Sequence, residues 1–179
     1  MQGLSTLTNL KTLSIQANRI TSLAGLEALP QLEEFYISDN LLTSLEPLAA
    51  NPNIRILDIQ NNPLASLKGV AALQQLENLW ASGCQLESFE EIETELRDKA
   101  ELSEVYFESN PLQKANPVLY RNKIRLALPQ VSKIDASKSS DKPAVRLAHT
   151  DSSSLRQSVT YVFFNSSSFE ESARLSLIA

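Results

Sequence analysis

A repeated spacing of apolar residues constrains the fold of this chain more than any other feature. The pattern LxxLxLxxNxL, with other apolar residues allowed at the Leu positions, starts at residues 10, 32, 54, 76 and 102. The first three intervals are 22 residues long and the fourth is 26. Units of this kind bury their apolar side chains only against neighbouring units. The period therefore predicts a solenoid.

Each position of the unit has a physical role. Leu13 and Ile15 alternate with polar residues, which predicts a short strand with both side chains inward. Asn18 follows, and its amide can bond backbone groups where the chain turns. Cys84 stands once at the Asn position, and we expect it to be a buried turn residue. The return segment has apolar residues at every third position, which is typical of 3₁₀ turns.

These features predict an α/β solenoid of right-handed horseshoe form. Its concave side is a parallel β-sheet, and its convex side consists of 3₁₀ and short helical turns. The longer fourth unit contains Phe89, Ile92 and Leu96 at spacings i, i+3 and i+7, which predicts one amphipathic helix there.

A helical cap is predicted after the last unit. Tyr120, Ile124 and Leu128 lie on one helical face that can cover the last open coil, and Pro129 ends the helix. The cap is rich in basic residues: Lys114, Arg121, Lys123, Arg125 and Lys133. We interpret them as a solvated surface in preference to a nucleic-acid site.

The chain divides by composition into a Leu-rich body and a different tail. Of its 29 Leu residues, 25 precede residue 136, whereas 12 of its 23 Ser residues fall in the last 44 positions. We predict repeats over residues 1–113, the cap over 114–136 and a disordered Ser-rich tail over 137–179. Residues 159–164 of that tail are apolar and β-prone.

The first residues carry the spacing of the second half of a unit, with Leu4, Leu7 and Leu10 three apart. Solenoids normally begin with a polar capping segment. We therefore expect this chain to be the C-terminal portion of a longer array, as a fragment, an isoform or an incomplete gene model.

A row of side chains is predicted on the concave face. The residues between the two inward positions of each strand are Ser14, Tyr36, Asp58, Trp80 and Tyr106. Parallel strands lie about 4.8 Å apart, so these residues form a column about 20 Å long. Flanking positions add Glu34, Ser38, Ile56, Gln60, Asn78, Ser82, Glu104 and Glu108.

Aromatic residues at the centre of an interface carry much of its binding energy, and carboxylates steer basic partners. We therefore predict a partner-binding site that consists of Tyr36, Asp58, Trp80, Tyr106, Glu34 and Glu104. The alternative is that the aromatic side chains pack on each other as a cross-strand ladder.

Several classes of function lack the residues they need. A net charge of −5 gives no overall basic field for nucleic acid. One Cys and one His exclude disulfide frameworks and clusters of these metal ligands. The sequence contains no phosphate-binding glycine motif and no apolar run of membrane length, and the pattern of its first residues leads us to expect no signal peptide. We therefore expect no enzyme, cofactor, metal or small-molecule substrate, and a reducing intracellular location.

The C-terminal part of the repeats resembles a known family. Residues 105–114 (VYFESNPLQK), 120–124 (YRNKI), 126–129 (LALP) and 134–136 (IDA) are similar to the last repeat and cap of the leucine-rich-repeat regulatory subunit of protein phosphatase 1. The resemblance covers about residues 1–136 and also extends to the 22-residue period. The tail departs from the family, which ends shortly after this cap.

The resemblance implies a non-catalytic scaffold of nucleus and cytoplasm that binds the protein phosphatase 1 catalytic subunit on its concave face. Asp58, Trp80 and Tyr106 match positions with that role, Tyr36 matches less closely, and Asn78 stands where an acid is expected. Two alternatives remain. The generic cap is shared with the leucine-rich subunit of the U2 spliceosomal particle, and the chain could be a folded fragment without function.

Overall fold

The computed structural model describes residues 3–135, together with the backbone of Thr160–Tyr161. Its central feature is a parallel sheet in which neighbouring strands follow each other along the chain. The strands are β1 (Thr12–Ser14), β2 (Glu34–Tyr36), β3 (Ile56–Asp58), β4 (Asn78–Trp80), β5 (Glu104–Tyr106) and β6 (Lys133–Ile134). The predicted solenoid with its parallel sheet is confirmed.

The tail contributes one short strand to this sheet. β7 (Thr160–Tyr161) pairs in parallel with the outer edge of β1. These two residues lie in the β-prone stretch 159–164, and the division into repeats, cap and disordered tail stays a prediction. The remainder of that tail lies outside the described residues.

The convex side consists of 3₁₀ turns at Leu26–Ala28, Glu46–Ala50 and Val70–Ala72. The longer fourth unit replaces the turn by helix α1 (Phe89–Leu96), as predicted. The Ser88 side chain caps α1 by accepting the Glu91 backbone N–H at 3.1 Å. The Glu91 carboxylate in turn accepts the Leu67 N–H at 2.9 Å, so the helix is fastened to the preceding turn.

The core is a stack of inward side chains from successive units. Each inward strand position is fully buried: Leu13, Phe35, Leu57, Leu79 and Val105. Burying a large apolar side chain contributes about 1.5–3 kcal/mol, so every added unit stabilises its neighbours through this stack.

A ladder of buried Asn side chains fixes the turns after the strands. Asn62 donates to the carbonyl oxygens of Ile59 in its own unit and Ile37 in the preceding unit, both at 3.0 Å. Its Oδ1 accepts the Leu42 N–H at 3.0 Å. Asn40 and Asn110 repeat this arrangement, while Asn18 bonds only within its own unit.

Cys84 interrupts the ladder, and the structure shows the consequence. Its thiol lies 3.4 Å from the Ile59 carbonyl oxygen. A thiol has no amide oxygen, so Cys84 cannot accept the Leu64 N–H as an Asn side chain would. The Leu64 N–H donates instead to the Asn62 carbonyl oxygen at 2.8 Å. Burial raises the pKa of the Cys84 thiol to about 11, so at neutral pH it is an inert turn residue.

Helices α2 (Pro111–Ala115) and α3 (Tyr120–Ala127) follow β5, the strand of the fifth unit. The Tyr120 ring is buried, and its hydroxyl donates to Asp135 Oδ1 at 3.1 Å. The same oxygen accepts the N–H groups of Phe107 and Glu108 at 2.9 and 3.2 Å. Asp135 therefore joins helix α3 to the residues that follow β5.

Among the described residues, no helix has the length and apolar character needed to cross a membrane. No group of three or more His, Cys, Asp or Glu side chains in that part of the chain is placed to hold a metal ion.

The ladder predicts a large effect of Asn62→Ala. Removal of the Asn62 amide leaves several buried backbone groups without hydrogen-bond partners, each at a cost of about 1–3 kcal/mol. We expect the free energy of unfolding in urea to fall by about 3 kcal/mol. The matched control is Asn53→Ala, which removes one partly exposed hydrogen bond to Pro30 and should cost less than about 1 kcal/mol. Equal losses in the two variants would contradict the role of the ladder.

Candidate protein-binding face

The predicted column exists in the sheet. The pairing registers place Ser14 beside Tyr36, Tyr36 beside Asp58, Asp58 beside Trp80, and Trp80 beside Tyr106. The 26-residue interval does not shift this register, because its additional residues are accommodated on the convex side, where α1 lies. We call these five residues the concave column.

The aromatic members of the concave column contact each other. The rings of Trp80 and Tyr106 are stacked, with centroids 5.9 Å apart and planes inclined by 21°. The rings of Tyr36 and Trp80 are 6.2 Å apart although their strands are separated by β3. Two strand spacings amount to about 9.6 Å, so these rings lean toward each other over the intervening strand. The cross-strand aromatic ladder considered as an alternative is therefore present.

This arrangement corrects one expectation about exposure. Strand alternation predicts that the whole concave column is open to solvent, but Asp58 is only 4% exposed and Tyr106 only 5%. The short Asp58 side chain lies below the leaning rings of its neighbours. Tyr106 is covered by Trp80 on one side, and the Lys133 ammonium lies 5.3 Å from its ring centre on the other.

Neutral amides hold the Asp58 carboxylate. The Gln60 backbone N–H and side-chain amide donate to Oδ1 at 3.2 and 3.1 Å, and the Gln16 amide donates to Oδ2 at 3.0 Å. Within residues 3–135, no Lys or Arg forms an ion pair with it. Burial raises the pKa of Asp58 in spite of these hydrogen bonds. A buried carboxylate without a counter-ion at the base of a concave surface is suited to a cationic group from outside.

The two predicted flanking acids bond to the aromatic residues. Glu34 accepts the Tyr36 hydroxyl at 3.1 Å. Glu104 accepts the Trp80 indole N–H at 3.2 Å and the Lys133 ammonium at 3.1 Å. All six predicted site residues therefore lie on the concave face, where contacts among them hold the aromatic rings in place.

Two members of this surface were not predicted as part of it. Gln16 belongs to the outward column that also contains Ser38 and Gln60, so its contact with Asp58 follows from the same register. The sequence pattern places Lys133 on the basic surface of the cap. Its distance of 29 residues from Glu104 does not follow the repeat period, and only the folded cap brings it into β6.

The fold is a leucine-rich-repeat solenoid. Residues 8–50 match the sequence-family model described as Leucine Rich repeats (2 copies). The chain is similar to Protein phosphatase 1 regulatory subunit SDS22 of Schizosaccharomyces pombe (strain 972). The two are 61% identical over 59 residues, which amount to 33% of this chain and 18% of that relative.

Solved structures show the same fold. An internalin C2 from Listeria monocytogenes is 25% identical with a TM-score of 0.61, and the match covers 75% of this chain and 54% of that one. A leucine-rich-repeat protein of Leptospira interrogans is 29% identical with a TM-score of 0.62, over 74% and 33% of the two chains. The SNF/U2A′ complex of Drosophila melanogaster contributes a chain of 24% identity and TM-score 0.59, over 67% and 69%, which is a likeness of fold alone.

The buried state of Asp58 predicts a stability cost that depends on pH. The pKa of Asp58 in the folded chain is raised above the ordinary value of 3.8. The protonated side chain therefore stabilises the fold below pH 3.8, and this contribution is lost as the pH rises through the folded pKa. At pH 7, Asp58→Asn should lower the free energy of unfolding by no more than about 1 kcal/mol, or raise it. Relative to wild type, the variant should become less stable as the pH falls toward 4.

Urea denaturation of both proteins at pH 7, 5.5 and 4.5 measures this difference. Asp98→Asn, which removes an exposed carboxylate on the convex side, is the matched control. A variant that gains stability relative to wild type on acidification would contradict the buried-charge account.

Proposed function

We propose that this chain is a non-enzymatic scaffold that binds the catalytic subunit of protein phosphatase 1 on its concave face, and that it regulates this enzyme. The observation that carries the proposal is the buried Asp58 carboxylate among stacked aromatic rings. The similarity over 59 residues to a protein phosphatase 1 regulatory subunit supports the choice of partner. Nucleus and cytoplasm are the proposed locations.

The chemistry of the surface fits a basic patch on a folded partner. Glu34, Asp58 and Glu104 lie on β2, β3 and β5 of the same sheet and attract Lys and Arg side chains. Aromatic rings next to these carboxylates add apolar contact and favour cations over their faces. Because Trp80 and Tyr106 are already stacked, little side-chain entropy remains to be lost on binding.

A non-catalytic role accords with the side chains on this face. Its carboxylates are engaged with amides, a hydroxyl, an indole or a lysine. The described residues contain one Cys, Cys84, and it is buried in a turn away from the concave column. The spliceosomal alternative is favoured less, since the likeness to the Drosophila complex is limited to the fold.

Substitution of the central aromatic residue tests the proposal. We expect Trp80→Ala to weaken binding of the purified phosphatase catalytic subunit by about 30-fold, equivalent to about 2 kcal/mol for a central anchor. Trp80→Phe should show a smaller loss, because an aromatic ring stays in place while the five-membered ring of the indole and its hydrogen bond to Glu104 are removed. Isothermal titration or surface plasmon resonance gives the affinities.

Gln75→Ala, an exposed position at a distance from the concave column, is the matched control and should bind like wild type. Thermal melts establish that each variant is folded. Failure of the wild-type chain to bind, or unchanged affinity in folded Trp80→Ala, would refute the proposed function.

A further inference from the structure

The C-terminal edge of the sheet presents unused backbone groups. The N–H groups of Lys133 and Asp135 donate to β5 at 3.0 and 2.9 Å. Backbone groups of a parallel strand alternate between its two sides, so the N–H and C=O of Ile134 face away from β5. In the part of the chain that the structure describes, no strand pairs with this outer edge of β6.

A depression of about 250 Å³ lies beside this edge. It is lined by Arg121, Arg125, Ser132, Lys133, Ile134 and Asp135. Arg121 and Arg125 are one helical turn apart on α3, so both project to the same side. Arg121 lies 3.9 Å from the Asp135 carboxylate, whereas Arg125 forms no ion pair within the described residues.

Asp135 adds an acceptor atom that lacks a hydrogen-bond donor. Its Oδ1 is occupied by two backbone N–H groups and the Tyr120 hydroxyl. Its Oδ2 is buried and lies 3.9 Å from the Arg121 guanidinium, but it accepts no hydrogen bond from the described residues. Buried polar atoms are nearly always satisfied, so an acceptor in this position calls for a donor such as the N–H of an incoming segment.

The charge around the depression indicates which kind of peptide segment it attracts. Residues 111–134 contain five Lys or Arg and no Asp or Glu. Residues 87–108, in contrast, contain nine Asp or Glu and two Lys or Arg. The cap is therefore the basic pole of a chain with net charge −5, and it attracts acidic groups that the neighbouring unit repels.

We propose that the outer edge of β6 binds an extended acidic segment of the protein that occupies the concave face. The segment pairs with the backbone of Ile134, donates an N–H to Asp135 Oδ2 and places a carboxylate at Arg125. Lys133 belongs to both surfaces, because it lines the depression and bonds Glu104 beside the concave column. The assignment of this segment to the phosphatase catalytic subunit rests on the proposed function.

The same surface is poorly suited to nucleic acid. The Glu104 and Asp135 carboxylates lie within or beside it and pair with two of its three cations. A polyphosphate that followed the sheet edge would also meet the acidic unit at residues 87–108. A short segment with spaced carboxylates avoids these repulsions.

The first experiment titrates the full-length chain with a blocked hexapeptide of alternating Glu and Val, followed by amide NMR. We expect saturable shifts at Ile134 and Asp135 that are lost in Arg125→Glu and retained in Lys114→Glu. Lys114 is an exposed cap residue outside the depression, so this control carries the same change in charge. Absence of shifts, equal shifts with a Lys–Val hexapeptide, or stronger shifts with oligouridylate would overturn the proposal.

The second experiment measures association of the phosphatase catalytic subunit with the same variants. Arg125→Glu should slow association about fivefold to tenfold at low salt, with a smaller effect at high salt, and Lys114→Glu should not. Phosphatase binding that requires Trp80 but ignores Arg125 would overturn this inference and leave the proposed function intact. If the phosphatase does not bind at all, the proposed function fails, and the hexapeptide titration alone decides whether the edge binds acidic segments.

Discussion

The hydrogen bonds of the buried Asn ladder are the interaction on which the rest of the structure depends. Asn62 joins backbone groups of its own unit to those of the preceding one, and Asn40 and Asn110 do the same. These bonds fix where each strand ends, and thereby keep successive strands in register. Because the register is constant, residues 22 or 26 apart stand side by side, and five separate positions become one surface. Beyond the ladder, the Asp135 carboxylate joins the cap to the residues that follow β5 by accepting the Phe107 and Glu108 N–H groups.

The concave column combines a stability cost with an organised binding surface. Asp58 is held without a counter-ion under aromatic rings, so a neutral side chain there should stabilise the free chain about as well. Its neighbours Glu34 and Glu104 hold Tyr36 and Trp80 in fixed orientations. These properties are the ones that the proposed binding of a cationic partner requires, and they do not serve the stability of the isolated fold.

Much of this could be predicted from the sequence, because a strict period converts positions in the chain into positions in space. The strands, the concave column, the helix at Phe89–Leu96 and the buried state of Cys84 all follow from spacing alone. The burial of Asp58 and Tyr106 could not be predicted, since it depends on the direction in which large rings lean across a strand. Lys133 was assigned to the cap alone for a related reason: its place beside Glu104 depends on the fold of α2 and α3, where the period ends.

Hydrogen–deuterium exchange of the full chain, with and without the phosphatase catalytic subunit, tests the central claim most directly. Binding through the concave face should slow exchange in β2 to β5 and at residues 133–135. It should leave the convex turns at Leu26–Ala28, Glu46–Ala50 and Val70–Ala72 unchanged. Protection confined to those turns, or no protection at a saturating concentration of the phosphatase, would contradict the account.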